Sequence, residues 1–143
     1  MLKGVDPLLS GELLRHLDEL GHGDSLVLAD RNFPAYSMGA PVVRVDAGVE
    51  RVAEAVLSVL PLDGDGAAVY AMAVTGEPGL RMPNHEAVHR LARRVEGRDV
   101  PLELVPRFEF YERAHSARLV VLTREEESFN DFLLVKGVVP ASS

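Results

Sequence analysis

Eight consecutive apolar residues, Ala67 to Val74, form the longest unbroken hydrophobic run of the chain. A run this short cannot cross a bilayer as a helix. As a strand it is apolar on both faces, the pattern of a central strand covered on two sides. The segment before it, Val49 to Leu60, places Val49, Val52, Ala53, Val56, Leu57 and Leu60 at helical spacing. Pro61 and the Asp63-Gly64-Asp65-Gly66 run end that helix. A buried strand fed by an amphipathic helix already points to layered α/β packing.

The rest of the chain repeats the alternation. Ser10 reads as an N-cap for a helix through Leu20, with Leu13, Leu14, Leu17 and Leu20 on one face and Gly21 at its C-terminus. Ser25 to Ala29 reads as a buried strand ended by Asp30, and Pro41 to Ala47 as a second strand. Asn84 is expected to cap a helix running to about Glu96. Leu102 to Phe108 reads as extended, Tyr111 to Ala117 as a short helix, and Arg118 to Thr123 and Phe132 to Val139 as strands. With no dividing linker, residues 1–143 are expected to form one α/β domain.

Charge and composition narrow the function. Fifteen Lys and Arg against 22 Asp and Glu give a net charge of −7, which argues against nucleic acid or an anionic membrane as partner. The chain has no cysteine, which excludes disulfides, thiol catalysis and Cys-ligated metal. Without a targeting segment, a cytoplasmic location is expected. No GxGxxG, Walker A or GxSxG motif is present, so nucleotide binding and acyl-enzyme chemistry have no support.

Four places could carry chemistry. His22 stands between two glycines in Gly21-His22-Gly23-Asp24, a group that titrates near neutral pH in a turn open to a ligand, or a histidine merely tolerated there. Asp30 ends a strand, where ligands of α/β sheets gather, and is expected to face the cleft of His22 or to serve as a turn aspartate. Arg107-Phe108-Glu109-Phe110-Tyr111-Glu112-Arg113 offers a planar donor and aromatic rings to a sugar, or core aromatics with Arg107 paired to Glu109 or Glu112. His85-Glu86-Ala87-Val88-His89 matches the zinc-protease pattern HExxH. Its histidines flank the stripe of Val88, Leu91, Ala92 and Val95, and Arg90, Arg93 and Arg94 crowd the polar face. A solvated helix face, and no metal, is therefore the expectation.

Several boxes occur in a familiar order: Pro7-Leu8-Leu9-Ser10, Gly21-His22-Gly23-Asp24, Asp30 with Phe33-Pro34 and Ser37-Met38-Gly39, Arg107-Phe108 with Phe110-Tyr111-Glu112-Arg113-Ala114, and Leu133 to Val138. In these the chain resembles the L-fucose mutarotase and D-ribose pyranase family (RbsD/FucU), and the fucose branch more than the ribose branch. The resemblance spans nearly the whole chain. It implies a mixed sheet flanked by helices and a cofactor-free isomerase acting on a free monosaccharide. His22 would be the catalytic acid/base, and Asp30 and Arg107 would bind sugar hydroxyls. It also implies a homodecamer of two pentamers with sites between subunits.

Two positions depart from the family pattern. Where members carry Tyr, then Gly or Ala, then Asn, this chain has Phe129-Asn130-Asp131, expected to shape the pocket, with Asn130 a candidate for the lost amide. Tyr36 stands where the fucose branch often has histidine. The departure leaves a second reading, a non-catalytic sugar-binding or regulatory protein on the same scaffold.

Overall fold

The computed structural model describes residues 1–142. Helix α1 is Gly11–Glu19, capped as expected: the Ser10 hydroxyl accepts the Leu13 N–H at 3.1 Å. Strand β1 is Ser25–Ala29, β2 is Val42–Arg44, and helix α2 is Val49–Leu57. Strand β3 is Val69–Met72, helix α3 is Pro83–Glu96, and β4 is Leu102–Val105. Helix α4 is Arg107–Ala114, and strands β5, Leu119–Leu122, and β6, Phe132–Val135, complete the order. No helix among the described residues is long and apolar enough to cross a membrane.

All six strands share one sheet in the order β2-β5-β1-β6-β3-β4. Five run parallel; β6 alone is reversed, antiparallel to β1 on one side and β3 on the other. The sheet is mixed, as the family resemblance implies. Alternation along each strand sorts the core into two layers. Leu26, Leu28, Val69, Ala71, Phe132 and Leu134 pack under α1, α2 and α3. Val27, Ala29, Val120 and Leu133 face the other way, under Phe110 and Ala114 of α4 and the 3-10 turn Ala35–Ser37. Phe33 meets Phe110 edge to face at 6.0 Å, joining that turn to α4.

Two sequence expectations are corrected. The segment expected to stay extended through Phe108 is strand only to Val105, and helix begins at Arg107 instead of Tyr111. Pro106 starts that helix, its carbonyl accepting the Phe110 N–H at 2.8 Å, and Phe110 and Ala114, four apart, are its buried positions. Asn84 does not cap α3. The N-cap is Met82, followed by Pro83, and the Asn84 amide donates to Glu125 Oε1 at 3.1 Å.

The far end of β6 is clamped by a close approach. A Cβ on Gly137 would lie 2.5 Å from the Leu62 carbonyl oxygen, so only glycine fits. The Gly137 N–H donates to Pro61 O at 2.8 Å, and the Asp63 N–H to Val135 O at 3.0 Å. Gly137→Ala is expected to lower stability by about 1–3 kcal/mol, the usual range for an added methyl in a packed site. Urea unfolding reads this directly; an unchanged midpoint would mean that the Pro61–Asp63 segment shifts without cost.

Candidate active site

Because β6 is reversed, its first residues meet the carboxyl ends of β1 and β3. Asp131 enters β6 with its carbonyl accepting the Met72 N–H at 3.0 Å. Its carboxylate Oδ1 accepts the backbone N–H of Asp30, just past β1, at 2.7 Å. Asp30 Oδ1 in turn accepts the Asn32 N–H at 2.8 Å. These carboxyl groups line a cavity of about 230 Å³ with Arg107 and Tyr111 from α4, and Phe33, Ser128 and Phe129 from loops. Asp131 is 1% exposed, and burial, then the Asp30 side chain beside it, push its carboxyl well above the usual carboxylate range.

Arg107 and Tyr111 lie one turn apart on α4, so one helix face presents both. Arg107 Nε donates to Tyr111 Oη at 3.0 Å, and its guanidinium lies 5.4 Å and 5.5 Å from the Phe108 and Tyr111 ring centroids. The expected alternative, an ion pair to Glu109 or Glu112, is absent among the described residues; Glu109 pairs with Arg113 at 3.1 Å. Phe110 is the core aromatic, while Phe108 is exposed.

Phe129 is held with φ at 65°, the left-handed region that non-glycine residues rarely occupy. The residue that holds it was misplaced by the sequence reading. His85, expected on a solvated face, has no solvent exposure. Its Nδ1 accepts the Met82 N–H at 3.1 Å, which leaves Nε2–H to donate to the Phe129 carbonyl at 2.9 Å. Burial pushes the His85 pKa down, so the ring is neutral and anchors the site loop to the start of α3. His89 is engaged likewise: Nδ1 accepts from Arg81 at 2.7 Å and Nε2 donates to Val100 O at 2.6 Å. Neither histidine of the HExxH motif has a lone pair free for zinc.

Asn130 is turned away from the cavity. Its amide donates to Ser128 O at 2.9 Å and touches Met82 Sδ at 3.5 Å, at 1% exposure. It does not supply the amide expected of it; Asp131 holds the position facing Asp30.

His22 lies elsewhere. It precedes β1 whereas Asp30 follows it, so the two sit at opposite ends of a strand that spans roughly 17 Å. The expectation that both face one cleft therefore fails within a single chain. Gly23, at φ 88°, turns the chain there, and its N–H donates to Lys136 O at 2.8 Å. The Lys136 ammonium caps the end of α1 by donating to Leu17 O and Leu20 O, at 2.8 Å and 2.5 Å. His22 Nε2 donates to Asp63 Oδ1 at 3.2 Å, which leaves Nδ1 as the free acceptor of a half-exposed ring. That bond, with the Asp65 N–H, holds the Asp63 carboxyl below its ordinary range. His22, Asp63 and Asp65 offer ligand atoms within 4.8 Å of one another, held together by the His22–Asp63 bond and by the Asp65 N–H donating to Asp63 Oδ1 at 3.4 Å.

The model of the RbsD / FucU transport protein family matches residues 3–139. The L-fucose mutarotase of Actinobacillus pleuropneumoniae serotype 5b (strain L20) is 40% identical over 98% of this chain and 99% of its own. The crystal structure of FucU from Bifidobacterium longum superposes with a TM-score of 0.89 at 36% identity, over 96% of this chain and 99% of that one. The fucose mutarotase of Streptococcus pneumoniae, solved in complex with L-fucose, gives 0.86 at 32% identity, over 97% and 100%. The chain belongs to the RbsD/FucU family.

His85→Ala is expected to destabilise the protein by about 1–3 kcal/mol for each buried group left unpaired, the Met82 N–H and the Phe129 carbonyl. The folded pKa of His85 lies below its ordinary 6.5, so the unfolded chain takes the proton first. Stability present above pH 6.5 is therefore lost as pH falls toward the folded value, and His85→Gln should flatten that slope. Thermal unfolding from pH 5 to 8 checks both; an identical slope in His85→Gln would assign the proton uptake elsewhere.

Proposed function

We propose that this protein is a monosaccharide mutarotase that interconverts the anomers of a free sugar, L-fucose or one similar to it, without a cofactor. The observation that carries the reading is the cavity at the β1–β6–β3 ends. Two carboxyl groups and a guanidinium there face one volume walled by Phe33, Tyr111 and Phe129. Carboxyl and guanidinium groups suit sugar hydroxyls, and the rings suit the apolar face of a pyranose. About 230 Å³ is below the roughly 300–1,000 Å³ of sites for larger ligands, the scale of a single sugar ring.

Ring opening moves the anomeric hydroxyl proton to a base while the bond from C1 to the ring oxygen breaks and that oxygen gains a proton. The O–H electron pair becomes the carbonyl bond. Rotation of the open aldehyde and reclosure give the other anomer, with no net proton change. His22 is the base and then the acid, through the Nδ1 left free by Asp63. Since His22 and Asp30 occupy opposite ends of β1, His22 acts in the cavity of a neighbouring copy of the chain. Tyr36 and Phe108, 68% and 73% exposed on the face carrying α4, supply apolar surface for such a contact. The assembly is a homo-oligomer, a decamer of two pentamers, working in the cytoplasm.

Saturation-transfer NMR tests the activity: transfer between the anomeric signals of L-fucose is expected with the protein and lost in His22→Ala. Neither His22→Ala nor Asp30→Ala alone should be active, but co-assembled they should regain part of the exchange, because some interfaces then pair an intact His22 with an intact cavity. Mixed oligomers without recovery would contradict the shared site. The second reading, binding without catalysis, rests on Phe129, which brings no hydroxyl to the cavity. It predicts sugar binding without exchange, and gain of exchange on combining Phe129→Tyr with Asp131→Asn.

A further inference from the structure

Two carboxyl side chains meet in the sugar cavity with no cation paired to either among the described residues. Asp30 and Asp131 are 5% and 1% exposed. The Asp131 carboxyl lies against the Asp30 backbone, accepting its N–H at 2.7 Å, and both carboxyls line one cavity, so two ionised carboxylates there would repel each other and one is favoured to keep a proton. Asp131 Oδ1 and Asp30 Oδ1 accept the N–H groups of Asp30 and Asn32 at 2.7 Å and 2.8 Å, which leaves the two Oδ2 atoms to carry the O–H. The groups around Asp131 favour retention of that proton. Glu125, in the loop before β6, adds negative charge. Arg107, on α4, is turned to Tyr111. His85, on α3, is neutral and bonded to the Phe129 carbonyl.

We infer that Asp30 and Asp131 share one proton in the sugar cavity and that the resulting carboxylic acid O–H is a hydrogen-bond donor to the substrate, so that sugar binding weakens as that proton leaves. This rests on the mutarotase reading and adds a specificity-determining residue to it. An asparagine at 131 would supply a donor that cannot titrate. Asp131 thus stands in for an amide only while protonated, and the site is a proton-dependent version of a neutral one. A buried neutral acid used as a donor costs less than a second buried charge beside Asp30.

The test compares the wild type with Asp131→Asn, in which the amide oxygen can still accept the Asp30 N–H. The first readout needs no sugar. A carboxyl whose folded pKa is raised stabilises the fold below its ordinary value of 3.8, and that stability is lost as pH rises toward the folded value. Thermal midpoints from pH 4 to 9 should therefore show Asp131→Asn gaining on the wild type by a few degrees as pH rises. The second readout is L-fucose affinity over the same range. Wild-type affinity should fall by up to tenfold per pH unit once the shared proton dissociates, and that decline should be absent in Asp131→Asn. A difference in midpoint that does not change with pH would overturn the shared proton. A growing difference with the same affinity profile in both proteins would overturn the donor role. A growing difference with no L-fucose bound by either protein at any pH would uphold the shared proton and contradict the mutarotase reading instead.

Discussion

The cavity of Asp30 and the turn of His22 both hang on one strand. β6 runs against its two neighbours, between β1 and β3, and is buried over most of its length. Its reversed direction brings Asp131 to the carboxyl ends of the parallel strands, where Asp30 emerges and α4 presents Arg107. The same reversal carries Lys136 and Gly137 to the amino end of β1, where they hold the His22 turn and the Asp63 segment. Were β6 parallel, the carboxyl pair and the clamp on His22 would both be lost, even with every side chain retained. Apolar burial fixes its facing: Phe132 and Leu134 pack in the three-helix layer, and Leu133 packs with α4.

The two ends of β6 differ in physical character. At the cavity end Asp30 and Asp131 are buried, so electrostatic interactions between their carboxyls are weakly screened. At the His22 end the ring is half exposed, and its geometry comes from a single bond to Asp63. The two ends are separated by the length of β1, so in the proposed mechanism His22 serves the cavity of another copy of the chain.

Much of the fold was legible in the sequence because its signals are local. Ser25–Ala29 stood out as a strand, bounded by a glycine turn and by Asp30, and α2 by its six apolar positions at helical spacing. Asp30, Arg107 and the Phe129–Asp131 segment were singled out as site candidates through family resemblance, and one cavity gathers Asp30, Arg107, Phe129 and Asp131. What was not legible depends on contacts distant in sequence. Leu102 to Phe108 read as one extended segment, although Pro106 starts a helix within it. His85 was assigned to solvent from the stripe of its own helix, yet the Phe129 loop, 44 residues away, covers it. The opposite placement of His22 and Asp30 follows from strand length, a clue the sequence did contain.

The central claim is that a free sugar occupies the cavity between Asp30, Arg107 and Asp131 and meets His22 of another copy of the chain. A crystal structure of the assembled protein with L-fucose tests it most directly. The account predicts sugar hydroxyls on Asp30, Arg107 and Asp131, with the neighbouring His22 within hydrogen-bond distance of the anomeric or ring oxygen. Sugar bound away from this cavity, or bound here with no histidine of any subunit in reach, would contradict it.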